Sequence, residues 1–376
     1  MYKERNRFLN LIILLFFTHG FMYFITGDIY NEDNPVKLVK YLLLTLFILN
    51  ILPSLRFISR NDFVILPFAA YFVCTALLYL SLNIQLLAVF MFMFPLFFFF
   101  LNKNMSFSVF VKIIKTTLWL ALCFALIEFS FYQDLSVRFS STGFRSISIF
   151  VNPNNFGIFV ALSLALIVGD SYRYKSSRVV VYWCIAAICI ALSGSMTAAG
   201  VYIFLLAAHV LKVINESLRT YKLKKKYILI LTTFFCAVIL ISINNLDGIL
   251  RKTDAVGMDN VNARLDYLSA FFSSISENFL YPQLISNSLY ADNAFIYSWI
   301  SVGVIGALLY FVLIITMVSI SLRFNNKKYS LFFISTALAA MTTNIFNIWP
   351  IAYMFWACVG YSLITERNFM KRSDEA

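Results

Sequence analysis

Charge is what this chain has least of. Of its 376 residues only 13% are Asp, Glu, Lys or Arg, about half the share carried by an ordinary soluble domain. Hydrophobic residues make up 61% and the mean hydropathy is +0.81. No soluble core of this length needs so much apolar surface, which makes lipid the solvent. Histidine is scarce too: His19 and His209 both sit inside apolar runs and read as satisfied structural residues. The six cysteines (Cys74, Cys123, Cys184, Cys189, Cys236, Cys358) also fall in apolar stretches, and no C-x-x-C spacing occurs. That excludes a disulfide framework and a structural zinc, and leaves them as small core hydrophobes. A Walker-type G-x-x-x-x-G-K-[ST] segment is missing as well, so nothing points to an ATP-driven pump.

What the chain has in quantity is apolar runs. The 41 Phe and 21 Tyr suit lipid-facing helices but name no chemistry. Runs of about 17–25 residues predict spans near 8–26, 38–55, 63–80, 82–101, 109–132 and 155–170. Six more are predicted near 178–193, 197–213, 227–243, 293–318, 330–348 and 350–366. Placing the N-terminus inside puts 23 of the 30 basic residues on the inner side, as the positive-inside rule asks. The net charge of +12 is thereby explained without nucleic acid, because the run Lys222–Lys226 flanks a membrane helix. The first helix is too long for a signal-peptide core and is expected to be retained.

The expected fold is an all-α integral membrane protein, a single polytopic domain over residues 1–376. It has about twelve transmembrane helices, both termini cytoplasmic, and outer loops at 133–155 and 244–292. The inner loops are short and merely basic, so function is expected in the outer segments.

The first outer loop runs Ser140-Ser141-Thr142-Gly143-Phe144-Arg145 and on to Asn152-Pro153-Asn154-Asn155. Arg145, like Arg138, lies where positive charge is scarce. Pro153 ends any preceding helix, and the flanking amides suit a cap on the next one. Amides at a helix start equally suit sugar hydroxyls or a phosphate. Glu128, near the outer end of its helix, is expensive in lipid and a candidate by default; pairing with Arg138 or Arg145 would explain it without catalysis.

The second loop holds Leu265, Leu268, Phe272, Ile275 and Phe279 at alternating spacings of three and four. That pattern predicts an amphipathic helix along the outer interface. Asn262 suits its N-cap and Arg264 its first turn, leaning toward the apolar stripe. There it fits an anion site or a snorkelling arginine equally well. The loop closes with Tyr290, Asp292 and Asn293. Asp292 fits a helix cap or a general base at the membrane surface. Ser193-Gly194-Ser195 reads as a tight turn, followed by the small residues Ala198, Ala199 and Gly200, and chiefly as architecture.

Taken in order and sidedness, these features from Gly143 to Gly306 resemble the O-antigen polymerase (Wzy-type) and O-antigen ligase superfamily. They are Arg145 running into Asn152-Pro153-Asn154, the serine-rich turn, a long outer loop with Arg264, and Asp292-Asn293 before a helix containing Gly303. The resemblance implies a glycosyltransferase of the bacterial cytoplasmic membrane. Such a protein polymerises oligosaccharide repeat units carried on undecaprenyl pyrophosphate, for O-antigen or capsular polysaccharide, without cofactor or metal. A chain-length regulator is the implied protein partner, beside membrane lipids. Arg145 and Arg264 would bind the pyrophosphate leaving group, and Asp292 would activate the acceptor hydroxyl. Arg138, Asn152, Asn154, Asn155, Tyr290, Asn293 and Glu128 would line the substrate. The family's ligases carry His where this chain has Asp292, and many members carry Arg where it has Met196. The ligase is the runner-up, and a lipid-linked oligosaccharide flippase is the alternative from another class.

Overall fold

The structure is a computed structural model. It describes residues 2–22, 35–57, 60–82, 86–131, 144–150, 152–171, 179–220, 266, 269–281, 293–323 and 327–374. Every regular element among the described residues is a helix. Five are long and apolar enough to cross a membrane: Leu38–Leu55, Asp62–Ser81, Phe107–Phe131, Pro153–Asp170 and Ala294–Arg323. Six shorter apolar helices accompany them. The predicted span at 227–243 lies outside the described residues. This is a helical membrane protein, and its residues fall into two compact units.

The first unit comprises Met1–Ile13, Leu42–Phe110 and Met258–Ala376. After α1 (Tyr2–Thr18) and α2 (Pro35–Ile51) in chain order, its α-helices include α3 (Leu66–Ser81), α4 (Leu87–Met93), α9 (Ala294–Arg323), α10 (Lys327–Ala340) and α11 (Ile351–Asp374). The run predicted as one span at 82–101 is in fact α4 followed by a 3-10 helix, Phe94–Lys103. Pro95 stands at its start and removes a backbone donor. α11 packs along this 3-10 segment, with Phe98 edge-on to Tyr353 at 5.0 Å. Lys103 closes the segment by pairing with Asp62 at 2.6 Å. Both partners are largely buried, and removing one of them would strand a charge at a cost of about 3–5 kcal/mol.

α9 is not continuous. Gly303, predicted as an ordinary helix residue, has φ 83° and ψ 167°, which breaks the helix. In lipid, freed backbone groups need partners from the protein, and here they have them. The Tyr71 hydroxyl donates to the Val302 carbonyl, and the Tyr79 hydroxyl to Ser301 O at 2.9 Å. Val304 N donates to the Leu280 carbonyl at 3.0 Å. The chain at 278–281 is thus tied into the break, helped by Trp299 Nε1 donating to Phe279 O at 2.8 Å.

The predicted amphipathic helix is present over 269–277, but a different residue anchors it. Phe271 is buried and meets Trp299 edge-on at 5.4 Å, whereas Phe272 of the predicted stripe is 64% exposed. Spacing alone located an apolar face without telling which neighbour it meets.

The second unit comprises Leu14–Tyr41 and Val111–Gly257. Within it lie most of α5 (Phe107–Phe131), with α6 (Pro153–Ser171), α7 (Val179–Ser193) and α8 (Met196–Thr220). α6 packs against both α7 and α8. Buried residues make up 83% of its apolar window, which marks it as the centre of this unit. His19 is also buried here, its Nδ1 2.9 Å from the Phe16 carbonyl, the structural role expected of it.

Candidate functional site

The site begins with a cap. Asn152 stands just before α6, and its Oδ1 accepts the Asn154 N–H at 2.8 Å, while Pro153 takes the first helical position. Asparagine at the cap and proline behind it is the arrangement a helix start favours. Phe150 stacks on Phe156 at 5.7 Å across the cap and fixes the angle at which the chain enters. A second helix start lies against it. Ser195 caps α8, its Oγ accepting the Ala198 N–H at 3.4 Å.

Gly157 lets the two helix starts touch. A Cβ there would stand 2.6 Å from Ser193 Oγ, 2.7 Å from Ser195 Cβ and 2.9 Å from Ala198 Cβ. Gly157→Ala is therefore expected to push the helix starts apart and destabilise the protein by about 1–3 kcal/mol. Thermal melting of the detergent-purified chain checks this, and a melting point equal to wild type would contradict the close packing.

Arg145 reaches the same corner. Its Nε donates to the Ser193 carbonyl at 3.0 Å and its NH2 to Asn154 Oδ1 at 2.7 Å. The turn that the sequence suggested was architecture thus helps to hold the arginine. Gly194, at φ 59°, lies against the Arg145 side chain, and a Cβ there would be 3.2 Å from its Nε. The only sequence signal of this was a serine-glycine-serine turn on the same side as Arg145. Met196, the first residue of α8, is 48% exposed.

The electrostatics follow from the geometry. Each helix N-terminus carries about half a positive charge, and a guanidinium has five N–H donors. Two of those donors are spent on the bonds just named. The first caps the last carbonyl of α7, where a cation is favourable by about 0.3–1 kcal/mol. Two adjacent helix starts act with the opposite sign, each disfavouring a cation by a similar amount. Among the described residues no carboxylate pairs with Arg145 to offset this. Burial lowers the pKa of its guanidinium, yet arginine stays protonated in any protein environment. What such a corner can do is hold an anion.

Glu128 serves the loop that carries Arg145. It is fully buried and makes no ion pair with Arg145. Its carboxylate accepts from Ser146 Oγ at 2.6 Å, from Ile147 N at 2.9 Å and from Ser148 N at 2.9 Å. Residues 146–150 are a buried loop, and buried backbone donors must be met from somewhere. Leaving one unmet costs about 1–3 kcal/mol. Ser146 N goes to Leu192 O at 2.8 Å and Ser148 Oγ to Ala121 O at 2.6 Å. Ser148 itself has φ 52°, a left-handed turn that the Glu128 bonds hold in place.

The remaining candidates fall elsewhere. Asn155 is half-buried in the first turn of α6. Asn293 caps α9, its Oδ1 accepting Phe295 N at 2.9 Å and Ile296 N at 3.1 Å, and its Nδ2 donates to Met341 O at 2.9 Å. Asn293 thus caps that helix. Arg138, Arg264, Tyr290 and Asp292 lie outside the described residues. The structure therefore brings together Arg145, Asn152 and Asn154, with Ser193 and Ser195 added. No group of three or more His, Cys, Asp or Glu side chains suited to a metal occurs among the described residues. Compared with models of protein families and with curated proteins, the chain matches none.

Proposed function

We propose that this protein is a polymerase of oligosaccharide repeat units carried on undecaprenyl pyrophosphate. It works at the outer face of a bacterial cytoplasmic membrane, with twelve spans and both termini inside. The observation that carries the reading is Arg145 held between the capped starts of α6 and α8, bonded to Asn154 and unmatched by a carboxylate among the described residues. That corner suits the charge that grows on a departing pyrophosphate, since arginine–phosphate pairs are charge-assisted and stabilise it as it forms. In the reaction, an acceptor sugar hydroxyl attacks the anomeric carbon of the donor glycan. The new glycosidic C–O bond forms as the bond to the lipid pyrophosphate breaks. The hydroxyl proton passes to a base, for which Asp292 is the candidate, and Arg264 would share the leaving group with Arg145. Asn152 and Asn155 would meet sugar hydroxyls.

The test is the glycan banding pattern of cells with and without the gene. Loss is expected to leave acceptor capped with a single repeat unit. Bare acceptor, with polymer accumulating on undecaprenyl pyrophosphate, would identify a ligase instead. Bare acceptor with repeat units stranded on the inner leaflet would identify a flippase.

A further inference from the structure

Arg145 and Ser146 are joined by one peptide bond, and everything that fixes Ser146 fixes where the arginine side chain starts. Ser146 is clamped from two sides. Its N–H is taken by the carbonyl of Leu192 at 2.8 Å, and its hydroxyl by Glu128 at 2.6 Å. The next two backbone N–H groups end on the same carboxylate oxygen at 2.9 Å each. One buried carboxylate therefore gathers three donors from three consecutive residues, immediately after the arginine. All three meet at Oε2, and the Ile147 N–H also reaches Oε1 at 3.2 Å, so both oxygens accept, as in a carboxylate. A glutamine with its oxygen in the Oε2 place would set its NH2 against the Ile147 N–H, and an aspartate would fall short by one methylene.

We propose that Glu128 is a positioning residue: by holding the Ser146–Ser148 backbone it sets the place at which the Arg145 guanidinium meets its anion. The inference rests on the reading of Arg145 as a diphosphate-binding group. It assigns Glu128 no contact with substrate. A residue that served the fold alone would change stability when altered but leave the anion affinity of the folded protein unmoved.

The experiment uses the full chain in lipid nanodiscs, with inorganic pyrophosphate as the probe and nitrogen-15-labelled arginine. Wild type is expected to bind pyrophosphate and Arg145→Ala to lose it. The Nε–H signal of Arg145, identified by its absence in Arg145→Lys, should be sharp and slow to exchange because it is bonded to the Ser193 carbonyl. In Glu128→Gln the pyrophosphate Kd should rise about tenfold or more, and the Nε–H signal should shift and exchange faster. Ser146→Ala removes one of the three donors and should give a smaller change in the same direction. If Glu128→Gln fails to fold, Ser146→Ala decides by the same two readouts. An unchanged Kd or an unchanged Nε–H signal in a folded variant overturns the proposal. If wild type binds no pyrophosphate, the reading of the anion site fails, and the Nε–H comparison still decides whether Glu128 positions Arg145.

Discussion

Arg145→Lys should make well-folded, membrane-inserted protein that yields little or no polymer. Lysine keeps the charge, but its three N–H donors all sit on one nitrogen. It cannot place one N–H on the Ser193 carbonyl and another on Asn154 while still offering donors to a phosphate. Hydrogen bonds to charged groups contribute about 1.5–3 kcal/mol each, so losing one in the transition state should slow transfer roughly 10- to 100-fold. Arg145→Ala should be slower still, and somewhat less stable because α7 loses its cation cap. The measurement is polymer length on a glycan gel, normalised to the amount of protein in the membrane. Normal polymer from a well-expressed Arg145→Ala variant would remove the arginine from the mechanism.

Gly303→Ala should damage the first unit through backbone and contact at once. A backbone at φ 83° and ψ 167° lies in a region open essentially to glycine, and forcing another residue into it costs about 1–3 kcal/mol. The added Cβ would also stand 2.7 Å from the Leu280 carbonyl oxygen and 2.7 Å from Tyr281 Cε1. The carbonyl is backbone and cannot swing aside as a long side chain would. Either α9 straightens and the 278–281 segment leaves the break, or the unit melts early. The melting temperature should fall by several degrees, and the fluorescence of Trp299, whose indole is bonded to Phe279 O, should change. A melting curve and Trp emission matching wild type would show that the break is not needed.

The break at Gly303 also shows where sequence reading stops. Apolar runs locate helices because burial in lipid demands a continuous ladder of backbone hydrogen bonds. The start of α6 was equally legible, since Asn152 and Pro153 act on their immediate neighbours. A broken helix obeys no such local rule. It survives because Tyr71, Tyr79 and Leu280 meet the freed groups, and two of these lie more than 200 residues away in the chain. The bonds of Glu128 follow the same pattern. A carboxylate in an apolar run prompts a search for a cation, whereas its partners are two backbone N–H groups and a serine hydroxyl in a loop 18 to 20 residues on. Asn154 was legible as a capping or sugar-binding amide, but not as the group that grips Arg145. That pairing depends on a turn at Ser193, brought close by a glycine in α6.

The position of the break within α9 carries a consequence for length. Residues 304–323 alone make a helix of about 30 Å, enough by itself to cross a hydrocarbon core. The nine residues from Ala294 to Val302 are therefore surplus to the crossing. Because the backbone turns at Gly303, they need not follow the tilt of the segment beyond it. The long part packs on α10 and can tilt with it as the bilayer requires, while Asn293, Trp299 and the tyrosine pair hold the short part to its neighbours. A thinner or thicker membrane can then be met by leaning one segment, leaving the geometry around the other undisturbed.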